Sequence, residues 1–323
     1  MSDVASPHPA PPHAHLPIDL RWWKQAAGAV IAVPVALYLA YGTTLCAWRG
    51  MVAQPAPTHI TLANGVEYTR STQSDPNHVW HIVKVDLSAE GLEVQGPEVD
   101  ATLALPLRAM PATEAVAKNH WVLAFGAGAS LAANAGEPTA PEFGVSSRGV
   151  AVPAKGDEAG NPVLQFQLGM PAVLAPTFKG SSATTSVVAD GWLLREGNAV
   201  KPCYVGEPTC SNGHDGVLWE TRAPQARLGI GLDAAGKTMY IAMIDGRLAK
   251  SSQGATAQEL AIKLKSLGAV NAAQFAHGDA VGMAAVLPGT TEGTVVGTPV
   301  AGGVPGREPA LGFVLGLKAA PRL

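Results

Sequence analysis

The chain has 323 residues, with 22 Lys and Arg against 25 Asp and Glu, for a formal net charge of −3. Without a basic stripe or an acidic tract, nucleic acid is excluded as the expected partner. Aromatics are sparse at 6%, while 36 Gly and 26 Pro favour many turns and short strands over a helical bundle.

The first 24 residues are rich in Pro and His and read as a disordered cytoplasmic tail. Gln25 to Trp48 then runs for 24 residues without a formal charge. As a helix that stretch is roughly 36 Å long, enough to cross a hydrocarbon layer of about 30 Å. Trp22 and Trp23 at one end, with Tyr38, Tyr41 and Trp48 towards the other, resemble interfacial aromatic anchors. A cleaved signal peptide is the alternative, with Ala40-Tyr41-Gly42 as a small-x-small site, but the apolar run continues past it. Arg21 and Lys24 before the span outnumber Arg49 after it, which places the tail inside and the following domain outside. The expectation is a single-pass protein of a bacterial inner membrane with its soluble domain in the periplasm. A membrane protein could pair with the span.

Residues 49–64 read as a linker, with a single α+β domain after it: a mixed or antiparallel sheet with few helices. His78 to Leu87 alternates between two faces and predicts a strand, with Trp121–Phe125 and Val163–Leu168 as further candidates. Leu228–Asp233 and Thr238–Ile244 flank a hairpin turn. Met110–Asn119 predicts a helix beginning near Ala112 or Thr113. Thr256–Leu267 predicts a second, opened by a Thr256/Glu259 capping box and ended by Gly268. Cys203 and Cys210 fit a small disulfide loop in an oxidising compartment, or else two unpaired thiols. No fourth ligand stands at zinc-like spacing beside them and His214, so neither a metal nor another cofactor is expected.

From Ala226 to Met283 the motifs follow a recognisable order. Arg227 to Asp233 resembles an Arg-Thr-x-x-Gly strand with Leu228 in place of Thr, and Ile244-Asp245-Gly246-Arg247 resembles a Val-Asp-Gly-Arg turn. Gly254 to Ala261 matches Gly-x-Thr-x-x-Glu-Leu-Ala, and Leu267-Gly268-Ala269 opens the stretch that follows. This string resembles the phosphodiester glycosidase family, which includes an enzyme that removes N-acetylglucosamine from a phosphodiester, and it covers most of residues 65–316, leaving 317–323 as a tail. The resemblance implies a glycan or sugar-phosphate ligand. It points to Asp245, His277 and Asp279 as catalytic candidates, and to Arg227, Arg247, Gly246 and Gly278 around the phosphate. Read from the residues alone, Asp245 could equally cap a turn, Arg247 end a strand in solvent, and His277 sit in a loop.

Two departures stand against ordinary family chemistry. Ala276-His277-Gly278-Asp279-Ala280 occupies the place of Asp-Gly-Gly-Gly-Ser, and Phe125-Gly126-Ala127-Gly128-Ala129 that of Asn-Gly-Gly-Phe-Phe. Hydrolysis needs a group to carry a proton, a nucleophile or activated water, and donors for the phosphate; Ala and Phe supply none of these. The expected function is therefore glycan or sugar-phosphate recognition with hydrolysis reduced or lost. The alternative is an active hydrolase with rearranged groups.

Overall fold

The computed structural model describes residues 34, 38, 40–44, 47–49, 51–100, 102, 105–128, 131–132, 134–139, 144–152, 160–167, 169–176, 185–204, 217–220 and 222–319. Two compact units emerge, Met1–Cys46 and Ala47–Leu323. In the first, the described residues are helical. Most of the expected span at 25–48, and the whole tail before it, lie outside the described residues. Among those described, no helix is long and apolar enough to cross a membrane.

The second unit stacks two antiparallel sheets face to face, each covered on its outer side by one helix. The larger sheet has eight strands, in the order Thr58–Ala63, Val66–Ser74, Asn77–Asp86, Thr238–Ile244, Arg227–Leu232, Asn271–His277, Gly191–Arg195 and Asn198–Ala199. The smaller runs Gly293–Val295, Met283–Val286, Leu123–Gly126, Val314–Lys318 and Glu93–Gln95. Period-two alternation assigns the faces. Leu123, Phe125, Leu315 and Met283 point into the shared core with Val83, Ile230, Ile241 and Phe275 of the larger sheet. Ala124, Val314 and Ala284 point outward onto the helix Ala112–Asn119. Likewise Trp80, Ile82, Leu193 and Ile244 face Leu260 and Leu264 of the helix Ala257–Leu267. A further sheet, of five strands, Val150–Val152, Val145–Ser147, Thr185–Val188, Val163–Phe166 and Val173–Ala175, adds Val145, Leu164 and Val187 to the shared core.

The second helix begins and ends as its sequence predicts. Thr256 accepts from Glu259 N while the Glu259 carboxylate accepts from Thr256 N, a reciprocal cap for two orphan donors. Gly268 takes the left-handed C-cap at φ 109°, where a side chain would be strained. The first helix has Pro111 as its N-cap, with no side-chain cap of its own. Glu308 supplies one from 195 positions away, accepting from Thr113 N at 3.3 Å and from Thr113 Oγ1 at 2.5 Å. The domain also starts earlier than residue 65: Thr58–Ala63, inside the expected linker, pairs with Val66–Ser74 as the edge of the large sheet.

Candidate functional site

Three motif segments end at one end of the large sheet because their strands are neighbours. Arg227 pairs with Ile244 on one side and His277 on the other, so 245–247 and 277–279 flank the start of the Arg227 strand. Gly246 permits this: a Cβ there would collide with the backbone nitrogen of Ala226.

Proximity along the sheet does not bring every candidate into one pocket, because neighbouring residues alternate between faces. Arg227, opposite Ile244, points to the helix side and is fully buried. Its Nε donates to Ala255 O at 2.6 Å and its Nη1 to Gln274 Oε1 at 2.7 Å. These bonds tie the sheet to the entrance of the second helix, and a bulge in the pairing follows at Leu228/Gly229. Asp245, one residue beyond Ile244, turns to the opposite face and is 4% exposed. Its Oδ1 accepts from Thr298 N at 3.0 Å and lies 3.3 Å from His81 Nε2. That contact has ion-pair distance without hydrogen-bond geometry, and Asp245 Oδ2 has no hydrogen-bond partner. The other His81 nitrogen, Nδ1, is 2.8 Å from the Tyr68 hydroxyl, whose pKa burial pushes up to about 12, with Arg70 opposing and Asp245 adding to the rise. His81 is fully buried and His78 nearly so, and both pack within the fold.

Arg247, Gly278, Asp279 and His277 form an accessible rim. Arg247 Nη1 donates to Asp279 Oδ1 at 2.6 Å, with side-chain exposures of 42% and 36%. The second Asp279 oxygen accepts from Gly302 N at 3.1 Å, fixing the carboxylate between strand end and loop. Gly278 has φ 59°, and a Cβ there would stand 3.4 Å from both Arg247 Nη2 and Gln225 Oε1. The glycine thus leaves backbone open beside the guanidinium.

A further carboxylate belongs to the site that the sequence did not reveal. His277 Nδ1 lies 3.3 Å from Asp190 Oδ2, with His277 45% exposed and Asp190 only 10%. Gln274 Nε2 reaches the same oxygen at 3.5 Å, so Arg227, Gln274, Asp190 and His277 form one chain of polar groups. Asp190 Oδ1 is buried without a hydrogen-bond partner among the described residues. Asp190-Gly191 looks like an ordinary turn before a strand. Only the pairing of Gly191–Arg195 with Asn271–His277 brings its carboxylate to His277.

The two altered motif segments still meet through the main chain. Gly126 N donates to Gly282 O and Gly128 N to Phe275 O, both at 2.9 Å. Ala276 and Phe125, at the positions where the family carries Asp and Asn, are both fully buried in the shared core. Ala129 lies outside the described residues. Among the described residues, no group of three or more His, Cys, Asp or Glu side chains could hold a metal ion. Cys203, on the short strand Cys203–Tyr204, is engaged rather than free, and Cys210 lies outside the described residues.

Comparison with known proteins bears on the fold and the family. The chain is similar in structure to the zebrafish N-acetylglucosamine-1-phosphodiester alpha-N-acetylglucosaminidase catalytic domain auto-inhibited by its pro-peptide. The TM-score is 0.52 at 16% identity, over 83% of this chain and 87% of that one. A putative exported protein from Burkholderia pseudomallei gives a TM-score of 0.49 at 12% identity, over 75% of this chain and 74% of that one. A hypothetical protein from Synechocystis gives 0.47 at 13% identity, over 82% and 64% respectively. At such identities the likeness is one of fold. No curated protein matches the chain in sequence. The family pattern described as phosphodiester glycosidase, however, matches residues 119–315, more than half of the chain. On that match, with the ordered motifs and the fold, the chain belongs to the phosphodiester glycosidase family.

Proposed function

We propose that the domain recognises a sugar phosphate or glycosyl phosphodiester of the cell envelope at the Arg247–Gly278–Asp279 rim, with hydrolysis reduced or lost. One observation carries this reading: the side chains at the two altered motif positions, Phe125 and Ala276, are 0% exposed and built into the core. Neither has a proton or lone pair to lend, and neither leaves room for a water to take over the task. Recognition needs less. Arg247 directs one of its five donors at Asp279, and its Nη2 stands beside the open backbone of Gly278, where a phosphate oxygen can lie.

The same reading places the domain outside the cytoplasmic membrane, held by an anchor helix at 25–48, with a Cys203–Cys210 disulfide. Support comes from the uncharged run at 25–48 and the flanking aromatics.

A second reading, an active hydrolase with rearranged groups, draws on the His277–Asp190 pair. A half-exposed imidazole with a buried carboxylate at Nδ1 is oriented to exchange a proton through Nε2. One experiment separates the two. The full chain is incubated with a chromogenic N-acetylglucosamine phosphodiester, and binding of N-acetylglucosamine 1-phosphate is measured in parallel. Recognition without turnover predicts no release above the blank, and binding weakened at least tenfold by Arg247→Ala. Release that disappears in His277→Ala establishes the hydrolase instead. Failure of the wild type to bind the sugar phosphate at millimolar concentration refutes the proposed ligand class.

A further inference from the structure

At the opposite end of the large sheet, roughly 20 Å from the rim by strand length, lies a cavity of about 660 Å³. The reversal of the Arg227–Leu232 and Thr238–Ile244 strands supplies Gly236 and Lys237 to its wall, so it is separate from the family motifs. The volume falls within the range of about 300–1,000 Å³ that small-molecule sites occupy.

Its lining is divided in chemistry. Leu92, Val94, Phe166 and Pro171 present hydrocarbon, while Arg148 and Lys237, both exposed, bring cations to the edge. Arg148 stands at φ 51°, ahead of Gly149 at 81°, in the tight turn between Val145–Ser147 and Val150–Val152. A left-handed residue at that position is usually Gly, Asn or Asp, so the long cationic side chain is not there for the turn. Its guanidinium is held in place, Nε donating to Gly96 O at 3.3 Å and Nη2 to Asn119 Oδ1 at 2.9 Å. The lining sets two cations against one carboxylate, Glu93, whose Oε2 accepts from Gln95 Nε2 at 2.6 Å, so the cavity edge is net cationic. Hydrocarbon walls with a cationic edge complement a ligand that is apolar along its length and anionic at one end.

We propose that this cavity binds a single-chain amphipathic anion, its alkyl tail against Phe166, Leu92 and Val94 and its phosphate or carboxylate head at Arg148 and Lys237. The assignment is independent of the reading at the Arg247 rim. The test uses octyl phosphate, titrated calorimetrically into the full chain held in amphipol, with amphipol alone as the blank. Saturable binding at one site per chain is expected. Octanol and inorganic phosphate, which each lack one half of the ligand, should bind at least tenfold more weakly. Lys237→Glu should lower octyl phosphate affinity at least tenfold with an unchanged melting midpoint, since Lys237 is exposed. Arg148→Ala should act in the same direction. Equal affinity for octanol and octyl phosphate overturns the proposal, as does uptake no greater than the blank's or wild-type affinity in Lys237→Glu. Affinity that falls in Arg247→Ala but not in Lys237→Glu moves the ligand to the rim and overturns it as well.

Discussion

Replacing Asp245 by Ala tests whether this motif residue acts on a ligand or on the fold. The carboxylate is 4% exposed, accepts from Thr298 N at 3.0 Å and stands 3.3 Å from His81 Nε2. Removing it leaves the Thr298 amide without its acceptor and opens space beside the buried His81 imidazole. An orphaned buried amide costs about 1–3 kcal/mol. Because the Thr298 amide is left facing a cavity in a buried site, the upper figure, about 3 kcal/mol, is the expected loss. For a domain of this size about 3 kcal/mol corresponds to a drop of roughly 6–12 °C in melting midpoint. The assay is a circular-dichroism melt of wild type and Asp245→Ala at one scan rate and pH, with sugar-phosphate binding measured well below both midpoints. Adding His81→Ala to Asp245→Ala should cost less than the sum of the single changes, since the two side chains touch at 3.3 Å and share one buried space. A midpoint within about 1 °C of wild type, together with lost binding, would refute the structural assignment and return Asp245 to the ligand site.

Thr256→Ala removes the reciprocal cap of the second helix and is expected to destabilise by about 1 kcal/mol, read as a melting midpoint lowered by roughly 2–4 °C. Tyr68 provides a pH test. Its pKa is raised from 10.0 to about 12, chiefly by burial, so its contribution is fully present below pH 10 and is lost as pH rises through the folded value. That amounts to roughly 3 kcal/mol between pH 10 and 12, and urea unfolding of Tyr68→Phe should show a shallower loss of stability than wild type across that window.

What the sequence disclosed was local. The capping box and Gly268 lie within one helix, and the hairpin closes within Arg227–Ile244, so residue choice and spacing determine them without reference to the rest of the chain. The alternation of His78–Leu87 likewise survives as the strand Asn77–Asp86, with Val79, His81, Val83 and Val85 on the core face. What stayed hidden was long-range. Glu308 caps a helix 195 positions earlier, and Asp190 meets His277 across 87 positions through a strand pairing that no local pattern encodes. The separation of Arg227 from Asp245 was half-legible. Alternation requires Ile244 and Asp245 to face opposite ways, but the register setting Arg227 opposite Ile244 had to be seen.

The family frame persists here because its turns are held by groups that substitution cannot remove. Gly126 and Gly128 bond through backbone amides to Gly282 O and Phe275 O, and Gly278 N donates to Ala226 O at 2.9 Å. None of these bonds uses a side chain at 125 or 276. Those two positions are therefore free to change without loss of backbone geometry, and the direction of change has a physical bias. Phe125 pairs with Met283 and Leu315 in the small sheet, facing the same core as Phe275. Full burial of such a ring stabilises by about 1.5–3 kcal/mol relative to exposure, whereas a buried amide or carboxylate must find partners or be penalised. Apolar residues at these two buried positions therefore add stability where polar ones would need partners. A carboxyl at position 276 would stand opposite Leu228, beside Phe275, desolvated and without a partner in view. On the proposed reading, an Asp placed at 276 alone does not bring hydrolysis back, because its surroundings are apolar core. The rim at Arg247, Gly278 and Asp279 faces solvent, outside that core, so the proposed sugar-phosphate recognition does not depend on the residues at 125 and 276.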